Sequence, residues 1–179
     1  MRLLLQPHPD FPAKAVRSIE VSAIRQADDR LSLRFHVTGA IEDVLWPAPT
    51  EAGRSDGLWR HSCFEAFIRA GEGPDYREIN VAPSHRWASY AFDSYRAGMR
   101  DASEVEVQSI AWAASDTSAE LAASARLGAM PEVWRLGFSA VIEERSGAKS
   151  YWALRHPPGK PDFHQADCFT AILAAPSVP

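Results

Sequence analysis

Residues 30–38, RLSLRFHVT, alternate without a break. Leu31, Leu33, Phe35 and Val37 fall on one side, and Arg30, Ser32, Arg34, His36 and Thr38 on the other. A helix would scatter those apolar residues around its circumference, whereas a strand gathers them on one face. The pattern therefore predicts a half-buried strand, and it recurs along the chain at 16–24, 63–70, 76–82, 86–93, 104–112, 133–143, 150–156 and 168–174. Segment 119–127, AELAASARL, is rich in Ala and Leu, which favour helix. The alternation of Leu121, Ala123, Ala125 and Leu127 with Glu120, Ala122, Ser124 and Arg126 decides for strand. Turn signals such as GEGPD at 71–75 and ERSG at 144–147 separate the strands. With about nine to eleven short strands, no convincing long helix and no βαβ alternation, the expected fold is all-β, an antiparallel β-sandwich. Its 179 residues suit a single domain over 1–179, since no linker, repeat or low-complexity tract divides them.

Charge and cysteine usage narrow the partners. Lys and Arg total 19 against 23 Asp and Glu, a net charge of -4, so the basic footprint of a nucleic-acid binder is missing. The apolar run Leu3–Leu5 is too short for the core of a signal peptide, and no stretch reaches the ~18 apolar residues of a membrane span. Cys63 and Cys168 have neither zinc-like spacing nor a disulfide framework. A cytoplasmic protein with free thiols and no nucleic-acid or membrane partner is expected. Nothing in the pattern fixes an oligomeric state.

The three segments 63–70, 76–82 and 86–93 read as a meander. Phe64, Ala66, Ile68 and Ala70 share one face of the first, and Ile79 and Val81 one face of the second; these are core candidates. The opposite face carries Glu65, Phe67, Tyr76, Glu78 and Asn80. Neighbours on a shared face stand about 5 Å apart, so two carboxylates, an amide and two aromatics can converge there. The alternative is a solvated outer face with incidental carboxylates. Trp59 and His61 precede the first of these strands and can rim the same face. Among six tryptophans, Trp112 and Trp134 fall in core phase, while Trp46, Trp59 and Trp152 lie at strand ends, where an indole can be half exposed. An aromatic face stacks on the C–H face of a sugar ring while carboxylate and amide groups bond its hydroxyls. His61, Glu65, His156, Asp162 and His164 are metal-ligand types without a metal motif, so no metal is expected. Ser62, His164 and Asp162 make a triad on paper but lack the nucleophile-elbow glycines. Haem needs an axial Met or His, and no spacing selects Met99, Met130 or any His; no cofactor is expected, with haem as a minor alternative.

Three segments carry a family resemblance: LWRHSCFEAFI at 58–68, YREINVAPSHRWASYAFDSYR at 76–96 and YWALRHPPGKPDFHQADCFTAIL at 151–173. They resemble the DOMON-like ligand-binding superfamily, in its bacterial branch related to family 9 carbohydrate-binding modules. Within that branch the likeness is to the subgroup named after UDP-N-acetylenolpyruvoylglucosamine reductase. It spans about Leu31 to Leu173 and implies a β-sandwich that binds a sugar or a haem. In the sugar-binding relatives a Trp precedes a strand and a Glu follows six residues later, as Trp59 and Glu65 do here. Asn80 matches the Asn of an Arg-x-Asn pair, with Glu78 in place of the Arg. Phe163 and His164 stand where a second stacking Trp is expected, and the axial pair of the haem-binding relatives has no match.

The resulting expectation is non-catalytic binding of a small carbohydrate or related polar ligand on the face bearing Glu65, Glu78 and Asn80. Trp59 would be the platform, His61 a rim residue, and Arg155, His156, Asp162, Phe163 and His164 would enter from the last two connections. The alternative is an enzyme acting on a sugar-like substrate, with Glu65, Glu78 and His164 as acid/base groups.

Overall fold

The computed structural model describes residues 1–26, 28–128, 130 and 133–174. Thirteen strands, three 3₁₀ turns and no α-helix occur among them. The strands are β1 (Arg2–Pro7), β2 (Val16–Arg25), β3 (Arg30–Gly39), β4 (Gly53–Arg54), β5 (Cys63–Ala70), β6 (Tyr76–Val81) and β7 (Arg86–Phe92). Then follow β8 (Arg100–Asp101), β9 (Glu106–Ala114), β10 (Ser118–Arg126), β11 (Trp134–Glu143), β12 (Lys149–Ala153) and β13 (Ala171–Leu173). Eleven of them pair in one path, β4-β7-β6-β5-β11-β12-β1-β2-β3-β10-β9, with β8 beside β7 and β13 beside β11.

The path doubles over at β1. Its residues Arg2–Leu5 pair with β2, and Gln6 and Pro7 pair with β12. The result is a sandwich of two layers, β1-β2-β3-β10-β9 and β4-β7-β6-β5-β11-β12, joined through that strand. All strand pairs are antiparallel except β4–β7, which is parallel over two residues. The count exceeds the sequence expectation through β1, β4 and β8. The first is a strand that Leu3-Leu4-Leu5 conceals, because consecutive leucines do not alternate in the sequence although they do in burial, with Leu5 inside and Leu4 exposed. The other two are two-residue bridges too short to carry a period.

Phe35 of β3 lies between the layers, with its ring centroid 4.8 Å from that of Phe64 on β5 and 6.4 Å from that of Phe138 on β11. Ile19, Val21, Leu31, Val37, Leu121, Ile68, Ile79 and Trp134 join the same cluster. A bulge between Val16 and Ser18 lets both Val16 and Ile19 turn inward, though they are three apart in sequence. Trp152 is a correction: it is fully enclosed in this core and not half exposed at a strand end. Trp46 is half-buried against Phe64 and Trp112.

Candidate functional site

Antiparallel register fixes which outward side chains of the second layer meet. Glu65 on β5 stands opposite Asn80 on β6, Phe67 opposite Glu78, and Glu65 opposite Ser139 on β11. On the far side of β6, Glu78 faces Tyr90 and Tyr76 faces Phe92. Three segments outside the sheet flank this surface: the 3₁₀ turn Leu58–Arg60, the connection 93–99, and the stretch 154–170. The last lies close because Gly137 on β11 offers no side chain; a Cβ there would stand 2.7 Å from Phe169 Cδ1 and 3.2 Å from the Cys168 carbonyl. An outer aromatic cluster results, with Phe67 stacked on Phe169 and Tyr76 on Phe92. The alternative of a solvated face is thus excluded: Glu65 is 3% exposed, Glu78 5% and Asn80 0%.

Between these segments lies a cleft of about 360 Å³. Glu65 and Glu78 reach it from the sheet, with Phe92 and Val141; Trp59, Arg96, Met99, Tyr151, Pro161, Phe163 and His164 complete the lining. Trp59 is 40% exposed and packs edge-on to Tyr90 at 6.2 Å, so part of its indole remains free. Tyr90 in turn donates to Asp56 Oδ1 at 2.6 Å.

The two carboxyl groups are held by few donors. Ser139 Oγ donates to Glu65 Oε2 at 2.6 Å, and the Cys63 thiol lies 3.9 Å from Oε1. Asn80 Nδ2 donates to Glu78 Oε1 at 2.6 Å. Burial pushes Glu65 up to about 8, with the Glu78 charge adding to the shift. Burial also raises Glu78, to about 7, against the Asn80 hydrogen bond and the Arg96 charge. Neutral pH therefore finds the pair partly protonated, able to donate as well as accept.

His164 is tuned in the opposite direction. Burial, and after it the Arg96 charge, lowers it to about 4, so it is neutral at pH 7. Tyr76 Oη accepts from the Arg96 backbone N–H at 3.2 Å and lies 2.8 Å from His164 Nδ1. The direction of that contact follows the imidazole tautomer, and Nε2 lies 3.9 Å from Glu78 Oε2. A neutral imidazole at that distance is a neighbour of Glu78 and not an ion-pair partner.

Asp162 braces the site from behind. It takes Arg96 Nη2 at 2.9 Å, the Tyr95 hydroxyl, and the His164 backbone N–H at 3.1 Å. Although burial pushes the other way, these donors hold its carboxyl below the usual range. Connection 93–99 is thereby tied to the stretch that carries Phe163 and His164.

Of the residues nominated from sequence, the fold brings Trp59, Glu65, Glu78, Phe163 and His164 to the cleft, with Asn80 beside Glu78 and Asp162 behind Arg96. Three lie elsewhere. His61 is on the same face but beyond the cleft, exposed, with Nδ1 2.8 Å from Glu143. Arg155 is exposed. His156 bonds the Gln6 carbonyl at 2.8 Å and packs its ring on His8. Sequence reasoning missed Phe92, Arg96, Met99, Val141, Tyr151 and Pro161. Phe92 and Val141 could have been found by extending the alternation to β7 and β11; the loop residues Arg96, Met99 and Pro161 carry no periodic signal. Among the described residues no group of three or more His, Cys, Asp or Glu side chains is placed to hold a metal ion.

No protein-family model and no curated protein matches the chain. Solved structures do. A crystal structure from Bacteroides uniformis, provisionally described as that of a carbohydrate-binding protein, aligns over 97% of this chain and 85% of its own, with a TM-score of 0.69 at 14% identity. A family 9 carbohydrate-binding module from Caldicellulosiruptor kristjanssonii, solved with cellotriose, aligns over 95% of this chain and 80% of its own, with a TM-score of 0.58 at 11% identity. The chain thus shares the β-sandwich fold of family 9 carbohydrate-binding modules.

Proposed function

We propose that the chain is a non-catalytic binding domain for a small carbohydrate or a related polar ligand, held in the cleft between Trp59 and the Glu65–Glu78 pair. The observation that carries this reading is the pair itself: two nearly buried carboxyl groups open to a cleft with aromatic walls. Sugar hydroxyls both donate and accept, and a partly protonated pair does the same. Trp59, Phe163 and Tyr151 supply aromatic surface for the ring's C–H faces. The cleft volume is in the range of small-molecule sites. The fold likeness to carbohydrate-binding structures supports the reading, and the resemblance to DOMON-like domains belongs to the same proposal.

Calorimetry with glucose, cellotriose and a panel of other mono- and disaccharides tests it, together with crystals soaked in the same sugars. At least one sugar should bind and occupy this cleft. Trp59→Ala should weaken its affinity by about tenfold or more and abolish the fluorescence change on binding. Absence of binding by every sugar tried overturns the reading.

Catalysis is the second reading, favoured by the raised pKa values, which suit a proton-transfer group at neutral pH. Glu65→Gln separates the two. A binding domain loses affinity, whereas an enzyme loses about 10²–10⁴ in rate while ligand binding survives. A Soret band in the purified protein would instead bring back the haem alternative.

A further inference from the structure

The hydrogen-bonding inventory of the cleft floor is lopsided. Glu65 receives one strong hydrogen bond, from Ser139, and Glu78 one, from Asn80. Asn80 lies beneath the lining, fully buried, with its amide anchored to Glu78 and its Oδ1 without a hydrogen-bond partner among the described residues. Opposite in register stands Glu65. With both carboxyl groups ionised, the free capacity here is all acceptor. No Lys or Arg among the described residues forms an ion pair with either carboxyl group. Arg96, the cation of the lining, is engaged by Asp162 at 2.9 Å.

A neutral hydroxyl matches the partly protonated pair but leaves the charge of its ionised form uncompensated. It brings one donor, two further lone pairs and no charge. A primary ammonium brings three donors, no acceptor and a positive charge. The walls suit it as well, because Trp59, Phe92, Tyr151 and Phe163 present rings to the same space, and aromatic faces attract cations.

We propose that the cleft selects ligands bearing a protonated primary amine, preferring an amino sugar to its neutral parent, with the ammonium at Glu65 and Glu78. The preference for a sugar rests on the reading above; the preference for an amine rests on the floor. Binding of the ammonium favours the ionised form of both carboxyl groups, so protons leave the Glu65–Glu78 pair for the buffer as the ligand enters. Cys63, Tyr76, Tyr90, Arg96, Asp162 and His164 are the other titratable groups around the pair. His164, already neutral at pH 7, has no proton to release there, and Asp162 stays ionised.

The test is calorimetry at pH 7 on the whole chain, in two buffers of different ionisation enthalpy, with glucosamine, N-acetylglucosamine, glucose and cyclohexylamine as probes. Glucosamine should bind about tenfold or more tighter than glucose and N-acetylglucosamine, the gain of a charge-assisted contact over a neutral one. Its binding should release protons, and Glu78→Gln should collapse the ratio of glucosamine to glucose affinity. N-acetylation removes the charge and keeps the ring, so the wild-type comparison stands even where a variant fails to fold. Equal affinity for glucose and glucosamine overturns the amine proposal and leaves the sugar reading intact. Binding of cyclohexylamine but of no neutral sugar supports the amine site and overturns the neutral-sugar reading. Binding of no probe overturns both.

Discussion

On the β2–β3–β10 layer, side chains turned away from the core meet water. Arg34 and Glu120 form an ion pair at 2.8 Å, with the Arg34 side chain 60% and the Glu120 side chain 37% exposed. On the β5–β6–β11 layer the equivalent positions are closed over, and Glu65, Glu78 and Phe67 are buried. Both layers alternate with the same period, and only one is covered on both faces. The difference lies in what the chain does after it leaves the strands. The turn at Leu58–Arg60, connection 93–99 and stretch 154–170 fold back over the second layer. A carboxylate on the open layer keeps its hydration; one on the covered layer loses it and shifts toward its protonated form. The two carboxyl groups with raised pKa values lie where a period-two face is denied water.

The largest expected effect tests whether the covered face is a packed interior. Phe67→Ala on the outward side of β5 should cost about 3–5 kcal/mol, as much as Phe64→Ala on its inward side. Urea unfolding of the two variants measures this, and a loss below about 1 kcal/mol for Phe67→Ala would place that face in the open class of β3 and β10.

A second measurement concerns charge. Glu65 and Glu78 bind protons more readily folded than at their ordinary value near 4.5, so stability should decline as pH rises from there toward 8. His164 acts with the opposite sign. Its folded value of about 4 lies below the ordinary 6.5, so its cost appears below pH 6.5 and grows as pH falls toward 4. The two slopes oppose each other between pH 4.5 and 6.5, leaving a net decline of more than about 1 kcal/mol from pH 6.5 to 8. Glu65→Gln should remove most of it. A wild-type profile flat over that window would mean that the pair is as hydrated as Glu120.

Gly137→Ala sharpens the comparison at the place where the cover touches the sheet. The new methyl meets Phe169, and the cost should be about 1–3 kcal/mol by denaturant unfolding. A neutral result would mean that stretch 154–170 is not pressed onto β11. The smallest effect belongs to the open face: a double-mutant cycle on Arg34 and Glu120 should give about 0.2–1 kcal/mol, fading in high salt. A coupling of several kcal/mol would contradict the solvated character of that layer.

The alternation of residues 30–38, 63–70 and 133–143 by itself determined that these segments are strands and which side chains share a face. A period of two is a local property of an extended backbone, and a one-residue slip would turn every apolar residue outward. The meander of β5, β6 and β7 followed from short turns, and with it the meeting of Glu65, Glu78 and Asn80 on one face. Trp59 was legible because it stands just before β5. The sequence could not say that this face is dry. The cover over this face includes Phe163, His164 and Phe169, about a hundred residues further along, and the last sits where Gly137 has no side chain. It could not find Arg96 either, whose place is set by Asp162 from a different loop. Nor could it turn His61 and His156 away from the cleft, since Glu143 and the Gln6 carbonyl hold them from distant strands. Strand and face are decided by neighbours in sequence; desolvation and protonation state are decided by whatever the tertiary fold lays on top, and only the closed structure brings those groups together.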